Sequence, residues 1–169
     1  MRRIFLLLAC LSGAGCGYHT AGHANALPSD LRTLAVPAFV NQTQTYKIEQ
    51  TLTSAVVQEF TTRTKYRVTA DPSGADATLR GTVLSTSTTP LTYDSKTGRA
   101  SSVLVIVAMK VALTDRDGRV LYQNPSYTFR EQYQVSQDLS SFFEEDSPAF
   151  QRLSQSFART LVSNVLEAF

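Results

Sequence analysis

The chain is 169 residues long, 43% hydrophobic and only 18% charged, enough apolar content for one packed domain and few charges for a cytosolic protein. Its formal charge is +2, but Arg2 and Arg3 sit at the extreme N-terminus, and setting them aside leaves 14 basic against 14 acidic side chains. A near-neutral domain offers no broad electrostatic attraction to nucleic acid, which excludes a general nucleic-acid binder.

Met1-Arg2-Arg3 is a short basic start, followed by the apolar run 4–11, the small residues Ser12-Gly13-Ala14-Gly15, and Cys16. The pattern is an export signal, because the apolar run is far short of the roughly 20 residues a spanning helix needs. Small residues directly before a cysteine resemble the bacterial lipobox, although Gly13 stands three before Cys16, where that pattern prefers leucine. Cys10 follows Leu7-Leu8-Ala9 but would leave only a six-residue apolar region, so Cys16 is the expected lipidation site. The expected division is a signal over 1–15, a flexible tether over 16–29 from lipidated Cys16, and a single domain over 30–169. The tether is small and polar and carries both histidines, His19 and His23, for which no metal role is assigned. With Cys10 lost to the signal and Cys16 to lipid, the domain holds no thiol for a disulfide or for catalysis.

Leu34, Val36, Ala38 and Val40 alternate as in a half-buried strand. After a polar hinge over 41–45, with Thr45 as the expected helix cap, Ile48, Leu52, Ala55, Val56 and Phe60 form one helical stripe. Tyr66-Arg67-Val68 returns as a strand, making a βαβ start that needs a larger sheet to pack on. The strand over 78–89 places Leu79 and Val83 on one face and Arg80, Thr82 and Leu84 on the other. A turn around Asp94 to Gly98 leads to the most regular strand, whose Val103, Val105, Val107, Met109, Val111 and Leu113 form an unbroken apolar face. Gly118 closes a tight hairpin turn, and Pro125 in the following strand marks an edge or a bulge. Glu144, Glu145 and Asp146, then Ser147 and Pro148, signal a helix start. Phe150, Leu153, Phe157, Leu161, Val165 and Phe169 mark one face of that closing helix.

These elements predict an α+β fold: a two-layer sandwich with a four- to five-stranded mixed sheet and both helices on one face. The other face is then open, carrying Arg80, Thr82, Leu84, Leu104, Ile106, Ala108, Lys110, Tyr122, Thr128 and Arg130. Cations interspersed with apolar side chains make it a candidate contact surface. Catalysis is not expected. The domain has no histidine, no Ser-x-x-Lys, no phosphate-cradling glycine loop and no paired CxxC, and its acids cluster at a turn and a helix start. No cofactor or metal is expected.

Several pieces then occur in a telling order. Cys16-Gly17-Tyr18-His19 follows the signal, and L-A-V-P-A-F-V-N-Q-T precedes Ile48-Glu49-x-x-Leu52-Thr53. Glu59-Phe60-x-x-Arg63-Thr64, Ala75-Asp76-Ala77-x-Leu79-x-Gly81, Arg130-Glu131-Gln132-Tyr133 and Phe142-Phe143-x-Glu145-Asp146 come next, and a helix closes the chain. Across nearly the whole mature chain this order resembles the LptE family of lipopolysaccharide-assembly lipoproteins. The resemblance implies an outer-membrane lipoprotein that plugs the LptD β-barrel, assists its assembly and binds lipopolysaccharide. It implies a domain on the periplasmic side or inside the barrel lumen, and a two-layer fold like the one read from periodicity. The family's lipopolysaccharide contacts are basic; strand parity makes Arg80, Lys110 and Arg130 the candidates here. The alternative is a lipid-anchored periplasmic module that regulates an envelope enzyme or forms part of a secretion complex.

Overall fold

The structure is a computed structural model that describes residues 31–134 and 146–168. Cys16, the histidines, Phe142, Phe143, Glu144, Glu145 and Phe169 lie outside the described residues. The elements in chain order are β1 (Thr33–Ala35), β2 (Val40–Asn41), α1 (Ile48–Arg63), β3 (Arg67–Thr69), β4 (Ala77–Tyr93), β5 (Ala100–Asp115), β6 (Val120–Gln134) and α2 (Asp146–Glu167).

They form one mixed sheet of order β3-β1-β4-β5-β6, with β2 pairing β4 off that path. The parallel half is the βαβ start: β1 pairs β3 with Thr33 opposite Arg67, and pairs β4 with Leu34 opposite Ala77. The antiparallel half is two successive hairpins. Both helices pack on one face, and their apolar stripes join the inward side chains of the sheet in a single core. On α1, Ile48, Leu52, Val56 and Phe60 are buried four residues apart, the spacing that keeps side chains on one helix face. On α2, Leu153, Phe157, Leu161 and Val165 do the same, joined by Ala158 and Val162. Phe157 is the hub: its ring meets Phe39, Tyr127 and Phe129 edge-on at centroid distances of 6.4, 6.3 and 4.8 Å.

The first strand departs from the expected alternation. Leu34 and Val36 are buried, but then Phe39 is buried while Ala38 and Val40 are exposed. From Leu34 to Val40 the chain takes six steps, while β4 takes five from Ala77 to Thr82. One extra residue at Pro37-Ala38 therefore reverses the parity, at a proline that has no N–H for the ladder. The reversal drives Phe39 flat onto Gly81, where a Cβ would lie 2.8 Å from the ring. Glycine is required there by close approach. The Phe39 N–H donates to Thr53 Oγ1 at 3.0 Å, fixing the ring's entry to the core.

The helix cap is also different. Lys47, in the left-handed region at φ 55°, precedes α1 and supplies no side-chain cap, so Thr45 is not the cap. Thr45 is instead held outside the helix: Asn41 Nδ2 donates to its carbonyl at 2.8 Å and to Glu49 Oε2 at 3.0 Å, and its hydroxyl bonds Thr86 Oγ1 at 2.7 Å. At the second helix, α2 begins at Asp146, so Ser147, expected as its cap, already lies in the first turn together with Pro148, which was expected at the helix start.

Asp76 ties the lower end together. Its Oδ2 accepts the backbone N–H groups of Arg32 and Thr33, each at 2.8 Å, and its Oδ1 pairs with Arg116. Those two N–H groups first, and then Arg116, hold the carboxyl below the ordinary aspartate range. The Ala75-Asp76-Ala77-x-Leu79-x-Gly81 stretch thus has a local logic: the acid joins β1 to the β5–β6 turn, the small and apolar residues line the core, and Gly81 receives Phe39.

Candidate lipid-facing sheet surface

The outward side of the sheet follows from its register. On β5, Leu104, Ile106, Ala108, Lys110 and Ala112 point away from the buried Val103 to Leu113 series. Opposite Ala112 stands Arg80 of β4; opposite Ile106 stands Arg130 of β6. All three expected cations, Arg80, Lys110 and Arg130, are exposed on this one face.

They are not equally grouped. Lys110 faces Thr82, two positions along β4 from Arg80, so the two cations are diagonal neighbours about 7–8 Å apart at the backbone. Arg130 faces Ile106, four positions along β5 from Lys110, roughly 13 Å toward the far end. Half-buried Ala108 lies between them, Ile106 stands beside Arg130 and Leu104 one outward position beyond it, flanked by Ser85, Ser87 and Thr89 on β4 and by Thr128 and Gln132 on β6. No carboxylate occupies an outward position of β4, β5 or β6, and among the described residues none of the three cations has an ion-pair partner.

Two irregularities shape the face. Leu84 sits at the register shift between Val83 and Ser85 and is 38% exposed, two residues beyond Thr82, which pairs with exposed Val40 of β2. On β6 the register shifts between Met109 and Val111, so that Pro125 and Ser126 together oppose Lys110. The proline therefore lies both on an edge strand and at a bulge, and it leaves Lys110 without a ladder partner on that side. The same bulges correct one expected member. Tyr122 opposes Leu113 and so lies on the helix side, where its hydroxyl bonds Tyr127 at 2.7 Å and Asn164 donates to Tyr127. Burial, then the bond to Tyr127, pushes the Tyr122 hydroxyl up from the ordinary phenol value.

The register adds a fourth cation. Arg67 of β3 is exposed and opposes Thr33, which shares its outward side with Thr78 and Arg80. Its neighbours Tyr66 and Val68 both pack against the core, and that alternation was readable in the sequence. At the Arg80 end the face opens into a shallow basin of about 490 Å³ lined by Thr78, Arg80, Thr114, Asp115 and Arg116. Arg116 is matched by Asp76, and Asp115 accepts Arg119 Nε at 2.9 Å. Arg80 is therefore its one unmatched charge among the described residues.

A two-layer domain with one face consumed by helices and the other left acid-free, with cations set among apolar side chains, presents one candidate contact surface. The family comparison agrees: the LptE family, described as lipopolysaccharide-assembly, matches residues 31–165, and the chain belongs to it. It is a family of non-catalytic outer-membrane lipoproteins associated with the lipopolysaccharide-handling machinery. No curated protein matches the sequence. Among solved structures the fold recurs in the rare lipoprotein B of Shewanella oneidensis (TM-score 0.54, 12% identity, 79% of this chain and 92% of that one). It recurs in lipoprotein B of Nitrosomonas europaea (TM-score 0.54, 9% identity, 80% and 83%). A third similar structure is a dodecamer of PelC from Paraburkholderia phytofirmans (TM-score 0.50, 20% identity, 85% and 93%). At these identities the likeness is one of fold.

Proposed function

We propose that this chain is the lipid-anchored subunit, held through Cys16, that plugs an LptD-like outer-membrane barrel and receives lipopolysaccharide on its open sheet face. The observation that carries the lipid part is the acid-free outward surface of β4, β5 and β6. Lipid A presents phosphates beside acyl chains, so its complement needs unmatched cations beside apolar side chains. Arg80 and Lys110 supply a paired cationic site, Leu104, Ile106 and Ala108 the apolar strip, and Arg130 a further cation beside Ile106 at its middle. Seated in a barrel, the same face would look onto the lumen wall, and lipid would pass between the two.

The test has two arms. Purification of the tagged chain from outer membranes, with partners identified by mass spectrometry, should recover a lipopolysaccharide-inserting β-barrel. Recovery of a cell-wall enzyme or a secretion pore instead would overturn the plug. For the face, a charge-assisted contact to phosphate is worth about 1.5–3 kcal/mol when well placed and less when open to water. Arg80→Glu, Lys110→Glu and Arg130→Glu together should therefore weaken lipopolysaccharide binding by at least about tenfold while circular dichroism is unchanged. Wild-type binding should also fall with salt. Undiminished binding by the triple variant at low salt would remove this face as the lipid site.

A further inference from the structure

The β4–β5 hairpin outruns the layer that supports it. Seventeen residues of β4 extend roughly 55 Å, whereas the 22 residues of α2 cover about 33 Å. From Leu84 to Tyr93 every β4 residue except Thr86 is exposed, although the facing Val103 and Val105 remain buried. Beyond Val83, where β2 stops, the outer backbone edge of β4 has no strand beside it among the described residues.

The end of this ribbon has its own composition. Leu91 falls at a register shift and is 44% exposed, and Tyr93 is 65% exposed. Lys96 and Arg99 flank the turn, exposed and without an ion pair among the described residues. The single acid, Asp94, is turned inward. Its Oδ1 accepts the Lys96 N–H at 3.0 Å, the Thr97 N–H at 2.8 Å and the Thr97 hydroxyl at 2.9 Å. Gly98, at φ 67°, closes the loop by donating its N–H to the Asp94 carbonyl at 2.9 Å. The turn is thus braced from inside, and what it shows outward is two cations, an aliphatic side chain and a phenol ring.

We infer that, in the subunit before it joins a barrel, the tip formed by Leu91, Tyr93, Lys96 and Arg99 docks on a bilayer surface of anionic phospholipid. Cations meet the headgroup charge, while Tyr93 and Leu91 reach the boundary with the acyl chains, the depth aromatic side chains prefer. The unpaired β4 edge sets the limit of penetration. Bare N–H and C=O groups are intolerable in hydrocarbon, so the ribbon rests at headgroup depth and does not insert. The tip lies beyond Arg130 on the ribbon and is separate from the lipopolysaccharide face, so the inference rests on the lipid-anchored, barrel-joining reading but not on that face binding lipopolysaccharide.

The chain contains no tryptophan, so Tyr93→Trp in the full-length lipidated chain reports on the tip alone. Reconstituted in vesicles containing phosphatidylglycerol, its emission should shift to the blue and be quenched by brominated acyl chains. The shift should be absent in pure phosphatidylcholine and should fade with salt. Each cation near an anionic surface biases docking about fivefold, so Lys96→Glu with Arg99→Glu should abolish the shift. Val120→Trp, at the exposed turn of the opposite end, should report water throughout. If the Tyr93→Trp signal is the same in both lipids, or if Val120→Trp shifts equally, the inference is overturned. A shift that requires added lipopolysaccharide and ignores phosphatidylglycerol overturns it too, assigning the tip to the lipid cargo. Protection of the tip by a co-purified protein, with none from vesicles, would likewise overturn it.

Discussion

Gly81→Ala is the sharpest probe of the packing described above. The added Cβ would stand 2.8 Å from Cγ and Cδ1 of Phe39 and 3.0 Å from Cδ2, below the distance real Cβ contacts reach. Phe39 has little room to retreat. It is 3% exposed, its other side meets Phe157, and its own N–H is tied to Thr53. Forcing a methyl into such a site costs typically 1–3 kcal/mol. Against that, replacing glycine by alanine within a strand recovers roughly 0.5–1 kcal/mol of backbone entropy. A net loss of about 1–2 kcal/mol is expected, read as a lower urea midpoint at unchanged slope. Phe39→Leu should itself destabilise, yet Gly81→Ala made on that background should cost less than on wild type. The two positions should couple by at least about 0.5 kcal/mol. A neutral or stabilising Gly81→Ala with Phe39 intact, or strict additivity, would refute the close approach.

Two further outcomes follow from single side chains. Ser154 is 1% exposed and its Oγ has no hydrogen-bond partner among the described residues, so Ser154→Ala should raise stability by about 1 kcal/mol in urea unfolding. The folded Asp76 carboxyl titrates below its unfolded value, so its contribution is complete above the unfolded pKa of about 4 and is lost as pH falls through the folded one. Asp76→Asn should accordingly be less stable than wild type at neutral pH, and the gap should close on acidification below about pH 4. A gap that is constant with pH would remove the Arg32, Thr33 and Arg116 contacts as its cause.

What the sequence disclosed were features with an uninterrupted period. The four-residue spacing of Ile48, Leu52, Val56 and Phe60, and the two-residue spacing from Val103 to Leu113, each survive intact because nothing is inserted within them. Both fixed a face, and with it the outward direction of Lys110. Arg80 and Arg130 were legible for the same reason, since each lies in a regular run next to its β5 partner. The misreadings sit at inserted residues. One extra residue at Pro37-Ala38 moves Phe39 inward and Val40 outward, and a register shift in β6 puts Tyr122 on the helix side. Alternation carries no mark of an insertion, because a strand with one added residue reads as two correct half-strands. Pro125 gave a local warning of one such site. Lys47 gave none, because lysine has no chemical preference for the left-handed backbone it adopts there.

The meeting of Phe157 with Phe39, Tyr127 and Phe129 has a consequence for the order in which the chain can become a domain. Phe39 lies at the start of the described chain and Phe157 near its end, so their contact closes a loop of more than a hundred residues. Such a contact carries a late entropic cost, whereas the β4–β5–β6 hairpins form from neighbours in sequence. A chain emerging N-terminus first can therefore assemble its sheet while three aromatic rings still wait for their lid. During that interval the inner face of the sheet is a broad apolar surface open to water and to any chaperone that patrols exported chains. Truncation before Phe157 would leave the protein permanently in that state, with its cation-bearing outer face formed and its interior undefended against proteolysis.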